Sequence, residues 1–352
     1  MATARIFLTG ATGFIGSYVL QNCLKAGYKV RVSVRKQEQV QSLKAQFASH
    51  GELDFVVVPD ISKAEAFGNA LSDVDYVLHI ASPMPGKGDD FKTDYLRPSV
   101  DGTQAILSAA RASDSVKRVI ITSSILANIP LGEMNATDLH VKGMSSIPTL
   151  PRPKFIVNLD ANFIEEDDGL NIKVDPNMEF PQGMAGDGPK YQASKILAHQ
   201  AARAMIEKEK LAFSVITIHP VFVLGPTLLE RSAKDISGIN AWFWGSMGAD
   251  AAPFPPAMVD VRDVAEAHVR AIHAPVDKPL TEILIDGQVT GWDPVADLVE
   301  KKYPQLPLNW KRPFPNGMEV DVTRAETMLG MKWRPIGDTF SDLIEQQLKH
   351  SQ

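Results

Sequence analysis

The stretch RIFLTGATGFIGSYVLQNCLKAGYKVRVSVRK, residues 5–36, decides how the rest of the chain is read. RIFLT (5–9) is short and β-rich, residues 14–26 repeat apolar side chains at helical spacing, and KVRVSV (29–34) is β-rich again. Between the first strand and the first helix stand Gly10, Gly13 and Gly16. Gly10 permits a tight turn, Gly13 lets backbone approach a pyrophosphate, and Gly16 lets helix and strand pack closely, while the helix N-terminus favours an anion. Glycines at this spacing are a weak signal by themselves. In a strand–turn–helix context they point to a bound dinucleotide rather than a purely structural turn.

Working outward, the alternation continues. A helical pattern at 37–49 precedes a strand at 54–59, another at 63–71 precedes DYVLHIA (75–81), and a third at 97–112 precedes VKRVIITSS (116–124). FSVITIHP (213–220) follows a further helix. Strands without polar alternation, separated by helices, imply a parallel sheet covered on both faces, so the expected fold is a doubly wound α/β domain. It spans 1–220 plus about 259–275, where VDVRDVAEAHVRAIHA returns to a strand-like start and a clear helix. A smaller, discontinuous α+β portion is expected from 221–258 plus 276–352. Residues 129–187 hold many prolines and no strong helical period, and read as an insertion.

Composition limits the function. The chain has 352 residues, 44% hydrophobic and 22% charged, enough for a sizeable core. Its net charge of -6 speaks against nucleic acid or an anionic membrane surface and favours small-molecule partners. A single cysteine, Cys23, sits inside an apolar helical pattern, which fits a buried thiol and a reducing compartment. The N-terminal apolar run is too short for a signal peptide, and no segment reaches 18 uncharged apolar residues. A soluble cytoplasmic protein is expected. No His, Cys or Asp spacing resembles a metal site, so no metal is expected.

In GDGPKYQASKILAHQAARAMIEKEK (186–210) the glycines and Pro189 are expected to stop preceding structure, so that Tyr191 opens a helix with Lys195 on the same face. A phenol beside an ammonium is a poised proton donor, because the positive charge favours phenolate and lowers the tyrosine pKa. After KVRVSV, the position where a carboxylate would bind the adenosine ribose of NAD holds Val34, followed by Arg35 and Lys36. Arg35 suits the 2′-phosphate of NADP, or the pair is a solvated turn. Asp60 is a candidate for the adenine amino group and equally for a helix cap. WFWG (242–245) either lines an apolar pocket or packs the smaller portion.

TGATGFIG, VVPDIS, HIASP, RVIITSS, YQASK, HPVFVLGP and VDVRDVAEAH, spread over most of the first 270 residues, together resemble the extended short-chain dehydrogenase/reductases. The branch they resemble holds dihydroflavonol reductases, cinnamoyl-CoA reductases and fungal methylglyoxal or ketone reductases. The resemblance implies NADPH-dependent reduction of a ketone or aldehyde. Tyr191 would protonate the carbonyl oxygen, Lys195 would hold the nicotinamide ribose, and Ser124, in preference to Ser123, would bind the substrate oxygen. Contacts to NADP(H) would fall on Gly10, Gly13, Phe14, Ile15, Gly16, Arg35, Asp60, Ile61, Ala81, Ser82, Lys195, Pro220 and Val223. The family also holds NAD-dependent sugar-nucleotide epimerases and dehydratases and 3β-hydroxysteroid dehydrogenases. A dinucleotide-sensing scaffold is the non-enzymatic alternative, and a monomer or homodimer is expected.

Two departures stand out. Ser124 and Tyr191 lie 67 positions apart, wider than the resemblance implies, which makes 129–187 a large insertion expected to cover the pocket or a subunit contact. Asp101, in SVDGT, occupies the place where the resemblance puts an asparagine that helps organise a proton relay, and the carboxylate is either structural or alters that relay.

Overall fold

The computed structural model describes residues 4–86, 88–131, 163–164, 172–276, 278–287, 291–314 and 317–351. Strands β1 (Arg5–Thr9), β2 (Lys29–Val34), β3 (Leu53–Val57), β4 (Tyr76–His79) and β5 (Arg118–Thr122) alternate with helices α1 (Phe14–Lys25), α2 (Glu38–Phe47) and α3 (Arg97–Arg111). After the two-residue β6 (Phe163–Ile164) come α4 (Met184–Lys208), β7 (Ser214–Pro220), β8 (Phe222–Leu224) and α5 (Gly238–Ser246). The chain closes with β9 (Met258–Asp260), α6 (Val261–Ala271), β10 (Leu280–Ile285), α7 (Asp293–Lys302), β11 (Glu319–Val320), α8 (Thr323–Met328) and α9 (Ile336–His350).

Seven strands form one sheet in the order β10-β7-β5-β4-β1-β2-β3, and every pairing is parallel. The order reverses between β1 and β4, the switch point at which such sheets open a crevice beyond the strands' carboxyl ends. The doubly wound reading holds. Ile6, Leu8, Val30 and Val32 face α1 and α6, and Phe7, Val77, Val119 and Val215 face α3 and α4. Both faces are thus buried, which is why these strands read as continuous apolar runs.

Three expectations change. LTEILI (280–285), assigned from sequence to the smaller portion, is instead the edge strand of the main sheet, with Glu282 opposite Thr217 of β7. Residues 63–71 form only a single turn over Ala64–Phe67, because Gly68 at φ 44 leaves the helical region. Pro189 does not halt structure either. Helix α4 starts at Met184, after Gly183 at φ 65, and carries Pro189 in its second turn, so Tyr191 lies within the helix rather than opening it.

A separate apolar cluster joins Phe243, Trp292, Trp310 and Phe340 with Val295, Val299 and Leu343 from α5, α7 and α9. The Phe243 and Phe340 ring centroids are 4.5 Å apart. Phe243 of WFWG therefore packs this smaller portion, while Trp242 is half exposed.

Candidate active site

The residues singled out from sequence lie along the carboxyl edge of the sheet, each just past a strand: Gly10 after β1, Arg35 after β2, Asp60 after β3, Ala81 and Ser82 after β4, and Ser124 after β5. Pro220 closes β7, and Val223 sits in β8. The glycine turn is held tightly. Gly10 has φ +78, and a Cβ there would stand 2.6 Å from the Ala81 backbone nitrogen. A Cβ on Gly16 would come within 2.0 Å of the Gly10 carbonyl oxygen. Gly13 is exposed at the start of α1, where a side chain would cover the helix N-terminus. Phe14 and Ile15 are half buried beside it. Thr9 ties this turn to β4: its Oγ1 accepts from the Ile80 and Ala81 backbone N–H groups at 3.1 Å each and pairs with His79 Nδ1 at 3.0 Å.

Arg35 is exposed, and among the described residues its guanidinium has no ion pair or side-chain hydrogen bond; Val34 beside it is buried in the core. No carboxylate stands there to repel a phosphate. Asp60 is engaged. Its Oδ1 accepts from Ser62 N at 3.0 Å and its Oδ2 pairs with Arg97 Nη2 at 2.7 Å, while the turn that follows has Lys63 at its N-cap, so Asp60 does not cap it. Ile61 packs beside Gly102 of α3.

The catalytic candidates converge despite their separation in sequence. The Ser124 hydroxyl stands close enough to the Tyr191 phenol to favour its ionised form. Lys195, one turn on and buried, donates to the Thr122 carbonyl at 3.4 Å and lies 5.6 Å from the Tyr191 ring centroid. Burial pushes the Tyr191 phenol up to about 12, against the pull of the Ser124 hydroxyl, and pushes the Lys195 ammonium down to about 8. The expected lowering of the tyrosine by the lysine is not what the structure gives, since loss of hydration dominates and only Ser124 opposes it. Tyr191 keeps its proton at neutral pH and is a donor. Ser123 is equally buried but donates its backbone N–H to Ile218.

Asp101 is exposed on α3. The α3 residues that reach the cleft are Ser99 and Thr103, which line it with His79, Ser82, Lys195 and His199. Asp101 is not among the residues that line this cleft. Most of the inserted segment lies outside the described residues, and with it the expected cover over the pocket. Its two described ends come together near the site: Leu131, Val174 and Phe180 pack, as Tyr191 does, against the cluster of Phe91, Tyr95 and Ala193, and Gln192 Nε2 donates to the Ile129 and Pro130 carbonyls.

Sequence reasoning missed a buried group behind Lys195, namely His199, His219 and Glu282, whose ligand atoms lie within 4.8 Å of one another. Arg203 pairs with Glu282, so a guanidinium takes the place a cation would need. Both His219 nitrogens are engaged, Nδ1 at 3.1 Å from the Ser124 carbonyl oxygen and Nε2 at 2.8 Å from Thr217 Oγ1. The donor set therefore suits an ion-pair network and not a metal. The signal was present in α4, where residues 191, 195, 199 and 203 recur every fourth position.

The chain has clear relatives. The profile of the 3-beta hydroxysteroid dehydrogenase/isomerase family matches residues 7–140. The ketoreductase sphI of Aspergillus fumigatus is 31% identical over 361 residues, covering 99% of both chains. The NADPH-dependent methylglyoxal reductase GRE2 of Saccharomyces cerevisiae is 28% identical and covers 98% of both. The structure of yeast methylglyoxal/isovaleraldehyde reductase Gre2 complexed with NADPH superposes with a TM-score of 0.76 at 24% identity over 99% of each chain. With the doubly wound sheet and a relative of this identity along almost its whole length, the chain belongs to the extended short-chain dehydrogenase/reductases, among the fungal ketoreductases and Gre2-like reductases.

Proposed function

We propose that this protein reduces a ketone or aldehyde to the alcohol with NADPH. The observation that carries the reading is the convergence of Ser124, Tyr191 and a buried Lys195 at the carboxyl edge of the sheet. The chain fits the cofactor. The bare backbone of Gly10 and Gly13 at the start of α1 suits a pyrophosphate, and Arg35, free of any carboxylate partner among the described residues, suits a 2′-phosphate. When bound, NADPH supplies the hydride.

The chain's own residues do the rest. Ser124 orients the substrate oxygen, and Tyr191 gives that oxygen its proton. Lys195 sets positive charge beneath the phenol as negative charge develops on it. Relatives that act on sugar nucleotides with NAD would want a carboxylate after β2, and Val34–Arg35 does not provide one. A scaffold would have no use for a lysine buried at the cost of its hydration. The reading extends to a small-molecule carbonyl substrate, a cytoplasmic location and a monomer or homodimer. Among the described residues, no helix is long and apolar enough to cross a membrane.

The test is Tyr191→Phe, assayed with NADPH against α-keto esters, diketones and aromatic ketones. Turnover should fall about 100-fold or more while NADPH still binds in a fluorescence titration. Undiminished turnover would assign the proton to another group.

A further inference from the structure

Tyr191, Lys195, His199 and Arg203 stand four residues apart on α4 and so share one stripe. That stripe faces the sheet, where apolar residues are the rule, yet Lys195 is 5% exposed and His199 3%. His199 Nε2 lies 3.0 Å from Glu282 Oε1 of β10, and its ring stands edge-on to His219 of β7 with centroids 4.8 Å apart. His199 Nδ1 and Ser99 Oγ are buried without a hydrogen-bond partner among the described residues. Both residues line, with Lys195, Thr122 and Thr217, one narrow cleft. Polar walls with unpartnered donors and acceptors are the conditions under which such a space holds water.

We propose that His199 is a positioning residue for proton supply, handing a proton through this polar cleft to Lys195 after Tyr191 has given its own to the substrate. The inference rests on the Tyr191–Lys195 reading above. Each reduction uses one hydride and one proton. The Tyr191 O–H bond breaks as the product O–H forms, and the phenolate takes a proton from the Lys195 ammonium, leaving a neutral amine. That amine is refilled from a His199 N–H, and His199 from water at the mouth of the cleft beside Ser82.

The surrounding charges favour this order. Burial sets the phenol near 12 and the lysine near 8, so the proton moves readily from Lys195 to the phenolate. The charged and titratable groups around His199 are Lys195 and Arg203 of its own helix, His219 of β7, Glu282 of β10 and His79 of β4 across the cleft. Burial, helped by the Lys195 charge at His79 and chiefly by the adjacent His199 at His219, holds His79 down to about 4 and His219 down to about 3, which keeps both neutral. Of the three, His199 is the one whose ring nitrogen lies against a carboxylate, 3.0 Å from Glu282 Oε1.

His199→Gln keeps an amide for Glu282 and removes the transferable proton. In stopped-flow mixing, the first equivalent of NADPH should be consumed at the unmodified rate and later ones slowly, with kcat about 10-fold lower, KM unchanged and added imidazole restoring the loss. NADPH fluorescence titration should be unaltered. Equal later turnovers, or first and later turnovers slowed alike, would overturn the inference. If His199→Gln does not fold, Glu282→Gln decides the matter: it removes the carboxylate that faces His199 and should give the same slow later phase, whose absence overturns the inference. Tyr191→Phe separates the two readings. Its retained turnover would sink the parent reading, whereas its inactivity beside an unaffected His199→Gln would sink this one alone.

Discussion

The turn after β1 and the buried stripe of α4 meet at the same end of the sheet, but they are built on opposite terms. The turn works by what it lacks: Gly10, Gly13 and Gly16 remove side chains so that backbone can approach backbone or a phosphate. The stripe works by what it adds, four ionisable side chains on a face that packing would otherwise fill with leucine or alanine. A local motif within eight residues is enough for the first. The second depends on partners far away in the chain, Glu282 and His219 for His199, and Ser124 for Tyr191. The turn should therefore fail through sterics and be indifferent to pH, while the stripe should fail through charge and be sensitive to it.

The largest effect is expected from breaking the turn. An alanine Cβ at position 16 would sit 2.0 Å from the Gly10 carbonyl oxygen, and backbone cannot step aside as a flexible side chain can. Gly16→Ala should lose measurable NADPH binding and lower the thermal midpoint, with overpacking costing about 1–3 kcal/mol or more. Gly13→Ala is the contrast, because its Cβ would meet the same oxygen at a tolerable 3.3 Å. It should fold normally and lose affinity only. Equal melting of the two variants would show that close approach is not what position 16 requires.

The stripe should instead break in acid. Burial alone would raise the Glu282 carboxyl, but the His199 hydrogen bond and neighbouring positive charge, Arg203 included, hold it down to about 2. A depressed carboxyl stabilises the fold above its unfolded value of about 4.5, and that stability, of the order of 3 kcal/mol, is lost as pH falls toward 2. His219, buried and held down to about 3, acts in the same direction: the unfolded chain binds its proton below about 6.5 and the folded one does not. Stability should thus fall steadily as pH drops below about 6.5, with a further decline below about 4.5. Denaturant midpoints measured from pH 7 to pH 3 check this. A flat profile would mean that the network is not closed as described. Gly13→Ala should leave the slope untouched, and Arg203→Ala should alter it.

The same contrast explains what was legible in the sequence. Apolar strand runs, helical spacing and the glycine turn are local, and they yielded the sheet and the dinucleotide cradle. β10 was misplaced because LTEILI carries a glutamate in mid-strand, and burying it makes sense only once Arg203 and His199 are known to sit behind it. Asp101 was singled out by its place in SVDGT, and Ser99 was not considered, since sequence does not tell which α3 side chain faces the sheet. Only the rotation of α3 shows which of the two reaches the cleft. The tyrosine pKa went the wrong way for a related reason, since the proximity of Lys195 is local and the depth of burial is not.

The smallest effect on the fold, and the one that sharpens the comparison most, concerns a charge at the turn's own end of the molecule. Arg35 stands just past β2, exposed, with its backbone N–H bound to Gln39 Oε1 at 2.9 Å and its guanidinium unpaired among the described residues. Nothing in the fold leans on that guanidinium, so Arg35→Ala should change stability by no more than about 0.5 kcal/mol. Its work would be done on the ligand. One charge-assisted hydrogen-bonded pair contributes about 1.5–3 kcal/mol, so the variant should lose most of a preference for NADPH over NADH, roughly 10- to 100-fold in kcat/KM, while NADH use stays nearly constant. The preference should also weaken in the unmodified protein as salt is raised, because an exposed guanidinium is screened. If Arg35→Ala lowered NADPH and NADH use alike, Arg35 would belong with the glycines as part of the turn's shape. If it changed neither, the preference would have to come from elsewhere along the same edge, and Lys36, which pairs with Glu38 at 3.6 Å, would be the next side chain to remove.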